Sequence, residues 1–257
     1  MPLITNGVLT HVYDEDVHEN MRLGRHLELD ARSLAFQVDL AQQQKPIKPA
    51  EWKPAIPTLD QSHLGSCTGN AGTYHLSALY GAANLSAIKL AGKTLSATNA
   101  TANEQFAVEV YHEATIKDGV PGNYPPTDTG SSGLGVAKAL KAANLISKYV
   151  WATNARAFGA LLQTAGCIIG VPWYEAWFTP DAHGFVDSGN WAASGVAGGH
   201  EIYVEALESW SDTDPSQSVI RFHNSWNDSW GDHGCGRLRF STYHQLMSQI
   251  DVKQLVR

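Results

Sequence analysis

A chain of 257 residues, 43% hydrophobic and 17% charged, is long and apolar enough to bury a sizeable core, which excludes disorder along its whole length. With 18 Lys and Arg against 25 Asp and Glu, the formal charge of −7 has the wrong sign for a protein that binds by neutralising phosphates, so nucleic acid is not an expected partner. Three cysteines are too few for a disulfide framework and leave at least one thiol unpaired within the chain, which points to a reducing compartment.

The N-terminus, MPLITNGVLTHVYDEDVHEN, lacks a basic leader with an apolar run, so no signal peptide is expected. Residues 1–55 are polar and broken, and they end in a proline-punctuated run from Gln42 to Pro54 that excludes a continuing helix. An extended arm or lead-in is expected there. Leu23, Leu27, Leu29 and Leu34 fit no clean period, so a short helix within 21–40 is left open.

From Cys67 the spacing of Ala71, Leu76, Leu79 and Ala83 predicts a helix that opens at the cysteine. A second helix is expected over 102–114, with Thr101 as N-cap, and a third over 134–143 after the turn-rich stretch 128–133. Beyond residue 150 the pattern becomes strand-like, at 167–173, 200–207, 218–223 and 237–240, with helices at 155–163 and 242–250. The most apolar of these, Cys167 to Trp173, carries Pro172 and is far short of the roughly 20 residues of a membrane span, so it reads as a buried strand and no membrane contact is expected. The Asn-x-Ser/Thr triplets at Asn84, Asn99 and Asn227 are read as ordinary asparagines. The expected class is α+β: a helical lobe over about 56–150, then a sheet lobe over about 151–257.

Three segments carry chemistry. Gln61 to Ala71 puts the Cys67 thiol at a predicted helix N-terminus, where backbone N–H groups and the helix dipole favour the reactive thiolate. Gly198-Gly199-His200 puts an imidazole at the mouth of a strand, behind a glycine pair that lets other backbone or a substrate come close. The third segment, His223 to Gly236, ends a strand with Asn224 followed by Trp226 and Trp230, which suggests a shielded hydrogen bond.

Taken in order, Gln61…Gly65-Ser66-Cys67, Gly199-His200 and Asn224-Ser225-Trp226…Trp230-Gly231…Gly234 resemble the papain-like cysteine peptidases, and the Cys-Thr-Gly-Asn-Ala version is similar to the bacterial and phage branch. Cys67 and His200 are 133 residues apart, within that family's range of about 130 to 150. The resemblance covers roughly residues 57 to 240. It implies a two-lobed papain-like fold, an N-terminal helical lobe and a C-terminal antiparallel sheet or barrel lobe with a cleft between them, and a catalytic domain over 56–257. It implies hydrolysis of a peptide or protein substrate through a Cys67 thioester, with His200 as general acid and base and without metal or organic cofactor. Asn224 would orient the imidazole, Trp226 would keep water off that bond, and the Gln61 amide with the Cys67 N–H would form the oxyanion hole. The implied location is cytoplasmic or virion-associated.

The chain also departs from the family pattern, with Ser62, Leu64, Thr68, Glu201, Asn227 and Cys235 at positions where other residues are usual. Strand alternation points Glu201 away from the cleft, with Arg221 or Arg237 as its expected partner. Cys167 and Cys235 are expected to be core fillers. The arm, without a long amphipathic helix, does not support inhibition by a prodomain of the usual kind; Leu29 to Ser33 reads equally as a solvated turn and as a segment that resembles the lead-in of bacterial and phage relatives. Trp173, Tyr174, Trp177 and Phe178 read as core or rim in preference to cleft lining. Two other readings stay open: a catalytically relaxed structural or binding module, for example of a phage virion, and a peptidoglycan-peptide hydrolase. A nucleophile elbow fails for lack of a strand before Cys67, and a metal site from His223, His233, Cys235 and His63 matches no zinc spacing.

Overall fold

The computed structural model describes residues 3–5, 7–13, 18 and 20–257. Its first elements are β1 (Leu3–Thr5), β2 (Val8–His11) and β3 (Leu27–Asp30), a small antiparallel sheet in chain order. A 3-10 turn, Ala31–Phe36, follows, because the Asp30 carboxylate accepts from Arg32 N and caps it. Then come the one-turn α1 (Leu40–Gln43) and β4 (Ala50–Glu51), which lies antiparallel against a later strand. Residues 1–55, expected as an extended arm, thus carry strands of their own.

The helical lobe is α2 (Cys67–Tyr80), α3 (Ala100–Lys117) and α4 (Gly133–Ala142), with the β5 (Lys89–Leu90) and β6 (Lys93–Thr94) hairpin beside them. The caps follow from sequence: Asn99 Oδ1 accepts from Ala102 N at α3 and Ser132 Oγ from Gly135 N at α4. The cap of α3 is Asn99, where the sequence pointed to Thr101. Phe106, Val110, Val136 and Leu140 interlock with Ala71 and Leu76 to make this lobe's core.

The sheet lobe contains β7 (Lys148–Ala152), α5 (Ala155–Leu161), β8 (Cys167–Tyr174), β9 (Val196–Ser209), β10 (Val219–His223), β11 (Cys235–Arg239), α6 (Phe240–Leu246) and β12 (Asp251–Val256). Its strands run antiparallel in the order β11-β10-β9-β8-β12-β7, with β4 added on β9. A second apolar core, with Phe158, Ile169, Val204, Leu238 and Phe240, lies under this sheet. The layout is the expected α+β arrangement, with α2 packed on β9 where the lobes meet.

Within the sheet lobe, β7 and β12 were not foreseen. In β12, Asp251, Lys253 and Gln254 are all buried, so charged and amide residues occupy positions that alternation would give to solvent. β7 pairs with β12 and was hidden with it. The helix expected over 242–250 stops at Leu246 and continues as a 3-10 turn, Met247–Gln249. Among the described residues no helix is long and apolar enough to cross a membrane.

Candidate active site

Cys67 is the first residue of α2 and is fully buried; the helix is buried with it through Ser77, all but its last turn. The turn before it is held from both lobes: Gln61 N donates to Ser225 O at 2.8 Å, and Gly65 N donates to the Asp128 carboxylate at 2.9 Å. The Gln61 amide is fixed at both ends, its Oε1 accepting from Ser225 Oγ and its Nε2 donating to Leu64 O at 2.8 Å and to Arg22 O at 3.0 Å. Of the other thiols, Cys167 lies in the sheet-lobe core, where burial pushes it up and makes it unreactive, as expected of a core filler.

On the facing wall, β9 carries His200, wholly buried, whose Nε2 lies 2.7 Å from Asn224 Oδ1. The same oxygen accepts from Ser225 N at 2.8 Å, which settles which end of the amide faces the ring. The oxygen only accepts, so Nε2 carries the proton and Nδ1 is the basic nitrogen; Nδ1 has no hydrogen-bond partner among the described residues. The Trp226 indole stacks on the imidazole at 4.6 Å and 23°, and Trp173 meets it edge-on at 4.9 Å. Phe178 stacks in turn on Trp226 at 5.3 Å. Trp173, Trp177 and Phe178 are therefore core residues, as expected, and Trp173 also walls the histidine, a contact that sequence reading missed. Burial in this aromatic shell outweighs the Asn224 hydrogen bond and pushes His200 down to about 4. The two walls are tied together by Tyr74 of α2, whose hydroxyl donates to Asn224 O at 3.1 Å.

Between the walls runs the N-terminal arm. Arg22 O accepts from Gln61 Nε2 and, at 3.2 Å, from Trp226 Nε1. Leu23 is fully buried and joins the sheet-lobe core. Gly24 N and Arg25 N both donate to Gly199 O, at 3.1 and 2.9 Å, while Gly24 O accepts from Ser131 N and His26 N donates to Ser131 O on the helical side. A Cβ on Gly199 would stand 2.1 Å from Arg25 O, so only glycine lets the arm lie there. Gln61, Gly65, Gly199 and Trp226, four of the residues expected at the site, thus lie against this peptide backbone. Sequence reading found no role for this segment: its anchors lie about 40 to 226 residues away in the chain, and its one local signal is Gly24 between Leu23 and Arg25.

Glu201 departs from expectation. Its partners are neither Arg221, which pairs with Glu205 at 3.0 Å, nor Arg237, which pairs with Glu208 at 2.9 Å. The Glu201 carboxylate instead lies beside Gly133 of α4 and shares a buried cluster with Arg25, Asp251 and Lys253. Burial pushes it up to about 8, aided by Asp251 and opposed by Lys253 and Arg25. His223 and Cys235 are cross-strand neighbours, and with Glu205 they form a compact group whose ligand atoms lie within 4.8 Å of one another. His63 and His233 are not in it. His223 Nε2 is 2.9 Å from Glu205 Oε2, and Arg221 takes the other carboxylate oxygen, so these charges balance among themselves.

No sequence-family model and no curated protein matches the chain. Solved structures do. Xylellain, a cysteine protease from Xylella fastidiosa, superposes with a TM-score of 0.52 at 17% identity, covering 94% of this chain and 98% of its own. Digestive procathepsin L 3 of Tenebrio molitor gives 0.54 at 13% identity, over 96% of this chain and 83% of its own, and proCathepsin B S9 from Trypanosoma congolense gives 0.56 at 11%, over 90% and 85%. The fold is papain-like, and the two-lobed α+β layout read from the sequence is the one found.

Proposed function

We propose that this papain-like fold is a thiol peptidase that cleaves peptide bonds through an acyl-enzyme on Cys67. The observation that carries the reading is the paired grip on Arg22 O: a peptide carbonyl accepts from the Gln61 side-chain amide beside a buried His200–Asn224 pair. A site that binds a peptide carbonyl with a side-chain donor is suited to the oxyanion of acyl transfer.

In this mechanism His200 Nδ1 takes the Cys67 proton and the thiolate attacks the substrate carbonyl carbon. The resulting oxyanion accepts from Gln61 Nε2 and the Cys67 N–H, a device worth about 2.7–4 kcal/mol per donor. Collapse breaks the C–N bond as His200 returns its proton to the leaving amine. Water, deprotonated by the same imidazole, then attacks the thioester and restores the thiol. Asn224 holds the ring in the required tautomer, and Trp226 keeps water off that hydrogen bond. The fully buried Cys67 and His200, with the arm across them, favour one other reading, a structural module that retains the fold.

The test is turnover of a fluorogenic peptide mixture at pH 5–6 by the full chain and by Arg25→Ala, each with and without Cys67→Ala, alongside iodoacetamide labelling located by mass spectrometry. Turnover lost with Cys67, and labelling at Cys67 faster than at Cys167 or Cys235, is the expected result. No cleavage in any chain, with Cys67 labelling no faster than the other two, makes the structural module the better reading.

A further inference from the structure

Cys235 is buried like Cys167, but Cys167 lies in the sheet-lobe core, whereas Cys235 belongs to neither apolar core of the described residues. Its surroundings are polar. Sγ lies 3.6 Å from both ring nitrogens of His223, its partner across β10 and β11, and 3.7 Å from Arg221 Nη2. A thiol that only filled space would sit among apolar side chains. Glu205 is brought to this pair by an irregularity in the sheet. The β9–β10 register shifts between Arg221 and Phe222, which pair with Ala206 and Val204, so Glu205 is the extra residue of a bulge, and its Oε2 reaches His223 Nε2 at 2.9 Å. Spacing along the chain pointed away from a metal here because this third group comes from a different strand, 18 residues before His223.

Glu205 is fully buried, and Arg221 Nε stands 3.0 Å from its Oε1 but out of line for a hydrogen bond, so this oxygen has no hydrogen-bond partner among the described residues. A buried carboxylate one donor short, turned towards an imidazole and a thiol, is arranged to receive a cation. The distances suit zinc. In a tetrahedral zinc site a nitrogen and a sulfur ligand stand about 3.5 Å apart, and a nitrogen and an oxygen about 3.3 Å. Here the corresponding distances are 3.6 and 2.9 Å, and all three ligand atoms lie within 4.8 Å of one another. A thiolate with an imidazole selects against calcium and magnesium, which take oxygen ligands. The side chains of His223 and Arg221 are partly exposed and give the ion its way in.

We propose that Glu205, His223 and Cys235 form a site for a thiophilic divalent cation of the zinc type, which takes water at its fourth vertex and ties β9, β10 and β11 together. Coordination uses the thiolate and the neutral imidazole, and the protons they give up pass to solvent. The carboxylate and the thiolate meet the two charges of the ion, and Arg221 stays beside the carboxylate. The ion takes no part in the reaction proposed for Cys67. His223 is nevertheless the residue before Asn224, so the bound ion anchors the strand end that presents Asn224 to His200.

The site is tested by calorimetric titration of Zn2+ into the full chain after dialysis against EDTA. The chain carries Cys67→Ala, so that the candidate catalytic thiol takes no metal, and is compared with the same chain carrying Cys235→Ser or His223→Gln in addition. Binding of a single equivalent is expected, weakened about tenfold or more by either added substitution. With Co2+ in place of Zn2+, the chain that keeps Cys235 should show a thiolate-to-cobalt charge-transfer absorption, and Cys235→Ser should abolish it although Cys167 is still present. Serine is nearly isosteric with cysteine, and the absorption is read with all three ligands in place, so a His223→Gln chain that fails to fold leaves the test intact. No binding of Zn2+, binding that Cys235→Ser does not weaken, or a Co2+ complex without the thiolate absorption overturns the site.

Discussion

His200 on β9 and His223 on the neighbouring strand β10 sit in the same sheet, one fully buried and the other with only 14% of its side chain exposed. Desolvation pulls both down. At His200 the partner is an amide, and burial prevails at about 4; at His223 the Glu205 carboxylate and Cys235 outweigh burial and hold the ring up at about 9. Depth alone therefore does not set protonation. The neutral ring, with one nitrogen fixed by Asn224 and the other open, is equipped to exchange a proton, and the charged ring is equipped to hold strands together.

The largest expected effect breaks the charged member of that pair. Glu205→Gln leaves Arg221 and His223 facing each other without their carboxylate, and a loss of about 3–5 kcal/mol is expected in denaturant unfolding. An unchanged midpoint would show that the group is solvated and carries no stability.

The next effect sharpens the comparison through pH. His200, depressed to about 4 when folded, contributes stability that is present above its ordinary value of 6.5 and is lost as pH falls through 4. His223, raised to about 9, contributes stability that is fully present below 6.5 and is lost as pH rises through 9. Taken by themselves, the two histidines give a dome around pH 6.5. His75, pushed down to about 4 by burial, adds to the acid limb, whereas Glu104, Asp118 and Glu201, pushed up by burial to about 7, 7 and 8, lose their contribution as pH rises through those values and so work against that limb. In urea midpoints from pH 4 to 9.5, His223→Gln should remove up to about 3 kcal/mol of the alkaline fall and leave the acid limb in place. An alkaline limb unchanged in that variant would contradict the assignment.

The smallest effect uses a second carboxylate on β9. Glu208 also pairs with an arginine, Arg237, but its side chain is 31% exposed, so Glu208→Gln is expected to cost less than about 1 kcal/mol by the same unfolding assay. A loss equal to that of Glu205→Gln would mean that burial is not what separates the two pairs.

How much of this could be read beforehand depended on how local the signal was. Gln61, Cys67, His200, Asn224 and Trp226 sit in short runs whose residue types carry their chemistry; the structure pairs His200 with Asn224 and brings Gln61 and Trp226 to one peptide carbonyl. Strands β8, β9 and β10 were legible as apolar runs between turn residues. β12 was not, because Asp251 and Lys253 look exposed until Arg25 and Glu201 are brought to them from elsewhere in the chain. The same long-range pairing misdirected the choice of partner for Glu201. The path of the arm was illegible for a related reason: its order comes from Gln61, Ser131 and Gly199, not from any period of its own.

The central claim is an acyl-enzyme on Cys67, and acid-quenched mass spectrometry of the Arg25→Ala chain, mixed with a peptide p-nitrophenyl ester, tests it most directly. The account predicts one acyl adduct, located at Cys67, that forms and decays at the rate of turnover and is absent in the chain that also carries Cys67→Ala. Turnover that persists without Cys67, or an adduct on another residue, would contradict it.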